Sequence, residues 1–405
     1  MNRTSRIFAA SLAAVVTVFA TWMTASPVHA AFPGAAISGT SGSAATPYLA
    51  VNSATSLSAV TTNLSIAITG AFDGAITLPP ASTKQGQTIT VTDSAGIGSG
   101  ATDGSTTSIV YLVVSNTGTE TITIDNMLGT TTRLMLWTRK GTITLVSDGS
   151  TGWYATSRKG WHIDPRSYTP LLWYDARRGI TLSSGNVSAW ADLSGNGKTL
   201  VQNTGANQPI YISTPSANQE GEENTVFFNS TAKTMQTSAT VAYGNSVQVF
   251  TTLSTSWNTA QDGMVWRSNY TAGAGISYYP MRNTSSGIGN ASGDTLFSGQ
   301  GSNVTTQVGP WLSYPSFHNR SWHRVNTTVN LGSVGGPGSF YRVAGQQMML
   351  SSGGSGSLSS PTQEFIVGSS WVGKVTQVIV YANTITNFTD ALNVDAALNE
   401  AFPAQ

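Results

Sequence analysis

An all-β protein is what the sequence predicts: an N-terminal antiparallel β-domain, a larger second β-domain, and one short helix at the C-terminus. Three observations predict it. From about Tyr48 onward, short runs place a β-branched or large apolar residue at every second position. Gly, Asp-Gly, Asn or Pro-Pro punctuates these runs roughly every ten residues. Helical spacing surfaces in "TDALNVDAALNEAF", where Thr389 is the expected N-cap and Ala391, Leu392, Val394, Leu398 and Phe402 the buried side.

Composition narrows the class. Charged residues make up 9% of the 405-residue chain, against roughly 25% in an ordinary soluble protein. The formal net charge is +1, so nothing provides the electrostatic footprint of a nucleic-acid binder. Solubility must come from hydroxyls and amides, as suits an extracellular β-protein. Disorder is excluded by a hydrophobic fraction of 40% with 11 Trp and 13 Tyr.

The N-terminus gives the expected compartment. Arg3 and Arg6 precede an apolar run from Ile7 to about Met23, and Val28 and Ala30 stand at the small-residue positions of a cleavage site. Residues 1–30 therefore read as a signal peptide, with an uncleaved anchor as the alternative. After it, no segment is apolar enough to span a bilayer, so a secreted, cell-surface or virion-associated protein is expected. There is no Cys, and an exported chain without disulfides depends on core burial for its stability.

Residues 31–47, "AFPGAAISGTSGSAATP", read as a flexible linker. The first β-domain, 48–156, follows with "LSIAITG", "GAITLPP", "QTITVTD", "SIVYLVVSN", "TITIDN", "RLMLWTR" and "GTITLVSDG" as strands. Within it, "AITLPPASTKQGQTITVTDSAG" and "TITLVSDGSTGWYA" resemble the β-modules of bacteriophage tail fibres and tailspike heads, over roughly residues 65–155. There a Leu-Pro strand end leads through "GQ" to an "ITVxD" strand, and a "VSDGxxW" hairpin closes the module. The resemblance implies a homotrimeric, virion- or surface-attached adhesin. The signal peptide departs from that pattern, since tail proteins assemble in the cytoplasm, and shifts weight toward a secreted or surface protein built from such modules.

"SRKGWHIDPRSYTP", 157–170, reads as the join, and the second domain occupies 171–405. Its opening, "LLWYDARRGITLSSGNVSAWADLSGNGKTLVQNTGANQPIYI", is similar to that of laminin-G-like, concanavalin A-like domains, with a "LWxDA" strand, a "GxVSxWxDxSGNG" turn and "QPxY". "NTVFFNS", "SWHRVNTTVN" and the closing "QEFIVGSSWVGKVTQVIVYANTIT" continue the likeness. It implies a two-sheet jelly roll, a concanavalin A-like β-sandwich.

The turn "DLSGNG" poses a question, because Asp192, Ser194 and Asn196 with Gly197 stand like the first half of a calcium loop. Position twelve, which needs an acidic ligand, is Asn203, and Asp192 is the one carboxylate in the loop, so Ca2+ held at Asp192–Asn196 would be weak. A structural turn asks for less: positive φ at Gly195 and Gly197 and an Asp192 side chain accepting from amides two residues on. On that reading Trp173 and Trp190 are core or sheet-edge residues.

Catalysis would need clustered acids or a base beside a cation. Glu220 and Glu222 in "QEGEEN" would share a face if extended, as polysaccharide hydrolases of this fold require, yet they sit among Gly, Asn and Gln in what reads as an exposed loop. A lyase reading rests on His318, Arg320, His323 and Arg324, which alternation through "SWHRVNTTV" explains as strand positions. No serine elbow and no zinc spacing occurs. No catalytic residue and no cofactor is therefore assigned, and the expected activity is glycan binding. Aromatics crowd residues 257–322 among Asn, Ser and Arg, as in carbohydrate sites, where rings stack on sugars and amides bind their hydroxyls. Tyr270, Arg282, Trp311 and Tyr314 are the expected contacts, because their neighbours are polar or turn-forming. A structural virion or surface-layer role is the other alternative.

Overall fold

The computed structural model describes residues 46–96, 104–125, 129–213, 224–243, 246–255, 264–268, 276–282, 294–300, 307–308, 322–330, 340–343, 346–350 and 362–382, together with Val394 and Leu398; for 125, 246, 255, 264, 268, 276–282, 294–300, 307–308, 322–330, 340–343 and 346–350 it describes the backbone alone. The protein is all-β, and Thr46–Gln405 forms one compact unit. Among the described residues no helix is long and apolar enough to cross a membrane.

The N-terminal module runs β1 (Tyr48–Val51), β2 (Thr55–Ser56), β3 (Leu64–Ile68), β4 (Gly74–Thr77), β5 (Thr88–Asp93), β6 (Val110–Val113), β7 (Thr121–Asp125), β8 (Gly129–Thr131), β9 (Arg133–Leu136), β10 (Thr142–Ser147), β11 (Gly152–Lys159) and β12 (Trp161–Ile163). They form two sheets, in the orders β1-β3-β5-β10-β11-β7-β8 and β12-β9-β6-β4-β2. The expected antiparallel module is in fact mixed. β1–β3–β5 and β2–β4–β6 pair in parallel, because the chain alternates between the sheets and each strand of one is the crossover that parallel neighbours in the other require. Antiparallel pairing begins where β10 meets β5 and β11. Alternation sets which side chains go in: in β5, Ile89 and Val91 are buried, while Thr90 and Thr92 face outward and touch Thr144 and Thr142 of β10, hydroxyl to hydroxyl, at 3.2 Å. Ile68, Ile76, Leu112, Leu145, Trp153 and Trp161 are among the residues that fill the space between the sheets.

Regular structure continues through 157–170. β11 extends to Lys159, Gly160 turns the chain at φ +71°, and β12 pairs with β9. A 3-10 turn, Pro165–Tyr168, follows, with Asp164 capping it by accepting from the Arg166 amide at 2.9 Å.

The second module comprises β13 (Leu172–Asp175), β14 (Ile180–Ser183), β15 (Asn186–Trp190), β16 (Leu200–Val201), β17 (Ile210–Ile212), β18 (Thr225–Phe228), β19 (Met235–Thr237), β20 (Val241–Ala242), β21 (Ser246–Thr255), β22 (Met264–Ser268), β23 (Ile276–Arg282), β24 (Asp294–Gln300), β25 (Gln307–Val308), β26 (Trp322–Asn330), β27 (Phe340–Val343), β28 (Gln346–Leu350), β29 (Thr362–Gln363), β30 (Phe365–Ser369) and β31 (Gly373–Tyr381). One run of pairings holds β13 and β18 on one side of β31, then β21, β26, β27 and β28 on the other. A second joins β16, β19, β30, β22, β23, β24 and β25, and the two meet along β15–β17. This is the sandwich-like arrangement expected. Tyr174, Val226, Val249 and Val378 from the first run pack with Met235, Trp266 and Val367 from the second. Val394 and Leu398, the described residues of the expected C-terminal helix, are helical and buried.

The modules meet on the outer face of the β13–β31–β21 sheet. Ile109, Met135 and Trp137 of the first pack with Trp173, Phe250, Ile379, Tyr381 and Leu398 of the second. Gly179 and Ile180 donate backbone hydrogen bonds to Thr106 and Gly104, each at 2.8 Å. Beneath them lies a wholly buried ionic cluster: Asp175 accepts from Arg177 Nε and Nη2 at 2.8 and 2.7 Å and from Arg178 Nη1 at 2.8 Å. Burial would raise the Asp175 carboxyl, but the Arg177 and Arg178 charges overcome it and hold the group below its ordinary range. Burial also brings Arg178 down to about 10, so it stays charged at neutral pH. Apolar burial, at about 1.5–3 kcal/mol for each fully buried large side chain, outweighs the small net worth of such ion pairs. The joint is held by its rings and aliphatics, and the charges set its register.

Candidate functional site

Asp192 is fully committed within its turn. Its Oδ1 accepts from the amides of Trp173 at 3.1 Å and Ser194 at 2.9 Å, and its Oδ2 from Ser194 Oγ at 2.8 Å and the Lys198 amide at 3.0 Å. Asn196 directs its amide nitrogen onto the Pro170 and Leu171 carbonyls at 3.1 and 3.0 Å, which leaves it a donor where a cation would need an acceptor. Gly195 and Gly197 take φ of +95° and +68°. The segment ties β13 to the chain after β15. Trp173 and Trp190 are both buried, as core residues. Among the described residues, no group of three or more His, Cys, Asp or Glu stands close enough to hold a metal ion.

A second polar constellation lies at the edge of the joint. Asp164, wholly buried, pairs with Arg166 at 2.7 Å and with Arg133 at 3.6 Å, and both guanidiniums lie over the Tyr111 ring, at 5.1 and 4.5 Å from its centroid. Burial lowers the Arg166 pKa, but its Asp164 partner prevails and the group stays above its ordinary value. With Asp164 capping the 3-10 turn, this is a positioning device for the chain that enters the second module. Asp175, Arg177 and Arg178 carry no role expected from the sequence. Their signal is three charges within four residues, "DARR", in a chain only 9% charged.

The aromatic-rich stretch 257–322 supplies β22 to β25, the outer part of the sheet opposite the joint. Trp266 is buried and stacked on Phe365 at 5.9 Å, so it belongs to the core. Tyr270 falls in the connection between β22 and β23, and Trp311 and Tyr314 in that between β25 and β26; all three lie outside the described residues, as do Glu220, Glu222, His318 and Arg320. Arg282 ends β23, in register with Asp294 of β24. β23 starts at Ile276, after the connection that holds Tyr270, so Tyr270 and Arg282 flank opposite ends of the strand in chain order. His323 and Arg324 are β26 positions in register with Leu253 and Thr252, as alternation implies.

No protein-family model matches the chain, and no curated protein matches it in sequence. Among solved structures, an arabinofuranosidase complexed with arabinofuranosyl-α-1,2-xylobiose is similar at 17% identity and a TM-score of 0.38, over 54% of this chain and 52% of that one. The receptor-binding domain of a botulinum neurotoxin C/D mosaic serotype gives 9% identity and a TM-score of 0.38, over 56% of this chain and 50% of that one. A botulinum neurotoxin type C structure, described as dependent on two ganglioside molecules for cell entry, gives 12% identity and a TM-score of 0.37, over 57% and 51%. The chain thus spans about half the length of each.

Proposed function

We propose that the chain is a secreted, cell-surface or virion-attached adhesin that binds cell-surface or matrix carbohydrate without cleaving it, its phage-fibre-like first module mounting a laminin-G-like head. One observation carries the reading. The head is fastened through the β13–β31–β21 sheet, by Trp173, Phe250 and Ile379, while the described strands of the stretch densest in aromatics and amides, β22 to β25, belong to the opposite sheet. On this reading, mounting falls to one sheet and recognition to the other. In this reading Tyr270, Arg282, Trp311 and Tyr314 supply ring faces and a guanidinium to a neutral, hydroxyl-rich ligand. The net charge of +1 leaves stacking and amide hydrogen bonds, rather than long-range attraction, to provide affinity. Tail-fibre likeness adds a trimeric assembly to the proposal.

The test is a glycan-array screen of the chain from Ala31, with product analysis on any polysaccharide that binds and light scattering for the assembly. Binding without products, lost in Trp311→Ala and Tyr314→Ala, is the expected result. Release of oligosaccharides would replace the adhesin by an enzyme, and a native particle containing many copies that bind no glycan would replace it by a structural component.

A further inference from the structure

Asp175, Gln377 and Thr252 stand directly opposite one another across β13, β31 and β21. Directly paired residues project from the same face, here the face turned to the joint, where the next row is Trp173, Ile379 and Phe250. All three residues of the Asp175 row are wholly buried. Asp175 is satisfied by Arg177 and Arg178, whereas Thr252 Oγ1 and both Gln377 Oε1 and Nε2 have no hydrogen-bond partner. A hydroxyl and a primary amide thus lie side by side in a dry place with three N–H or O–H donors unmet, an arrangement that proteins seldom tolerate.

We propose that Thr252 and Gln377 form an intramolecular ester that cross-links β21 to β31. Directly opposite Cβ atoms are about 4.5–5.5 Å apart, which brings Oγ1 within reach of the Gln377 side-chain carbonyl carbon by rotation of the two side chains. Oγ1 attacks Cδ, the Cδ–Oγ1 bond forms, the Cδ–Nε2 bond breaks, and the amide nitrogen leaves as ammonia with the hydroxyl proton. No oxidant, metal or other reactant enters. The Asp175–Arg177–Arg178 cluster next in the row fixes charge beside the carbon where charge develops, in surroundings that water does not screen. The product removes all three unmet donors and leaves two weakly accepting oxygens, so the reaction relieves the burial penalty that sets it up. Its consequence is a staple in a chain that has no Cys. It closes the long loop between residues 252 and 377 and withdraws entropy from the unfolded state, as a disulfide would.

The test is mass spectrometry of the full purified chain after tryptic digestion. The expected result is one species joining peptides 234–267 and 375–405, lighter than their sum by one ammonia, and separated by hydroxylamine. Thr252→Ser, which keeps the nucleophile, retains the linked species, and Thr252→Val yields two free peptides of full mass. Should Thr252→Val fail to fold, the wild-type digest decides alone. Two free wild-type peptides of unmodified mass overturn the proposal, as does an ammonia loss that maps to Asn196–Gly197, where a backbone succinimide gives the same change.

Discussion

Arg177 Nη1 donates to the Trp137 carbonyl at 2.9 Å, across the boundary between the two modules, while its Nε and Nη2 hold Asp175. Arg178 repeats the arrangement, reaching the Ser108 and Leu136 carbonyls at 3.2 and 3.3 Å. One carboxylate therefore pairs with two guanidiniums whose other hydrogens cap carbonyls of the neighbouring module. Asp175→Ala leaves two buried cations without a counter-charge, a loss of about 3–5 kcal/mol. Urea denaturation is the check: the midpoint should fall for the whole 46–405 unit, and an unfolding free energy within about 0.5 kcal/mol of wild type would show that the joint does not rely on this carboxylate.

Acid should act on the same joint. The Asp175 carboxyl is held below its ordinary value in the fold, with Asp148 shifted the same way by backbone amides that outweigh its burial. A carboxyl depressed in the folded state contributes stability in full above its unfolded pKa of about 3.9 and loses it as pH falls through the folded value. The melting temperature is expected to be level from about pH 7 to 5 and to drop below about pH 4. Asp175→Asn should flatten that acid limb, and an acid limb equally steep in the variant would assign the effect to other groups.

These charges also show where the sequence stops being readable. Strand identity is legible because alternation carries it: Ile89, Val91, Ile143 and Leu145 are buried where "TITVTD" and "TITLVS" place them. Strand direction is not, since alternation records which face is buried and carries no sign of whether the neighbour runs parallel, as β3 and β5 do. The Asp192 turn was readable from local chemistry, its Asp, Ser and two Gly sufficing, and the helical Val394 and Leu398 from spacing. The carbonyl partners of Arg177 and Arg178 were hidden because they lie across a module boundary, on Trp137, Leu136 and Ser108. For the glycan contacts, loop composition points to a stretch but not to a surface: Trp266, in that same stretch, is core.

Gly368 offers a sharper test of how closely the sheets approach. At φ +76° it lies against Phe228 of the facing sheet, and a Cβ there would stand 2.1 Å from Cδ1 of that ring. Phe228 in turn packs on Trp371 at 6.1 Å, so the ring has little room to yield. Gly368→Ala combines backbone strain with overpacking and should cost about 2 kcal/mol or more. Calorimetry should show a clear fall in melting temperature, and Phe228→Leu in the same chain should recover part of it. An unchanged melting temperature for the single variant would mean that the sheets lie further apart.

The last expectation concerns Asp192. Its two oxygens accept from Trp173, Ser194 and Lys198, so Asp192→Ala leaves three backbone amides and a hydroxyl to find other partners at the start of β13. With an unmet buried group costing about 1–3 kcal/mol and part of this turn open to water, a net loss of about 2 kcal/mol is expected. Asp192→Asn keeps one acceptor oxygen and should fall between the two. Because the Asn196 nitrogen rather than its oxygen turns inward, calcium should leave the wild-type melting temperature where a chelator leaves it. A rise with millimolar calcium, absent in Asp192→Asn, would mean that the turn reopens to take the ion and that the Asp192 hydrogen bonds belong to its empty state.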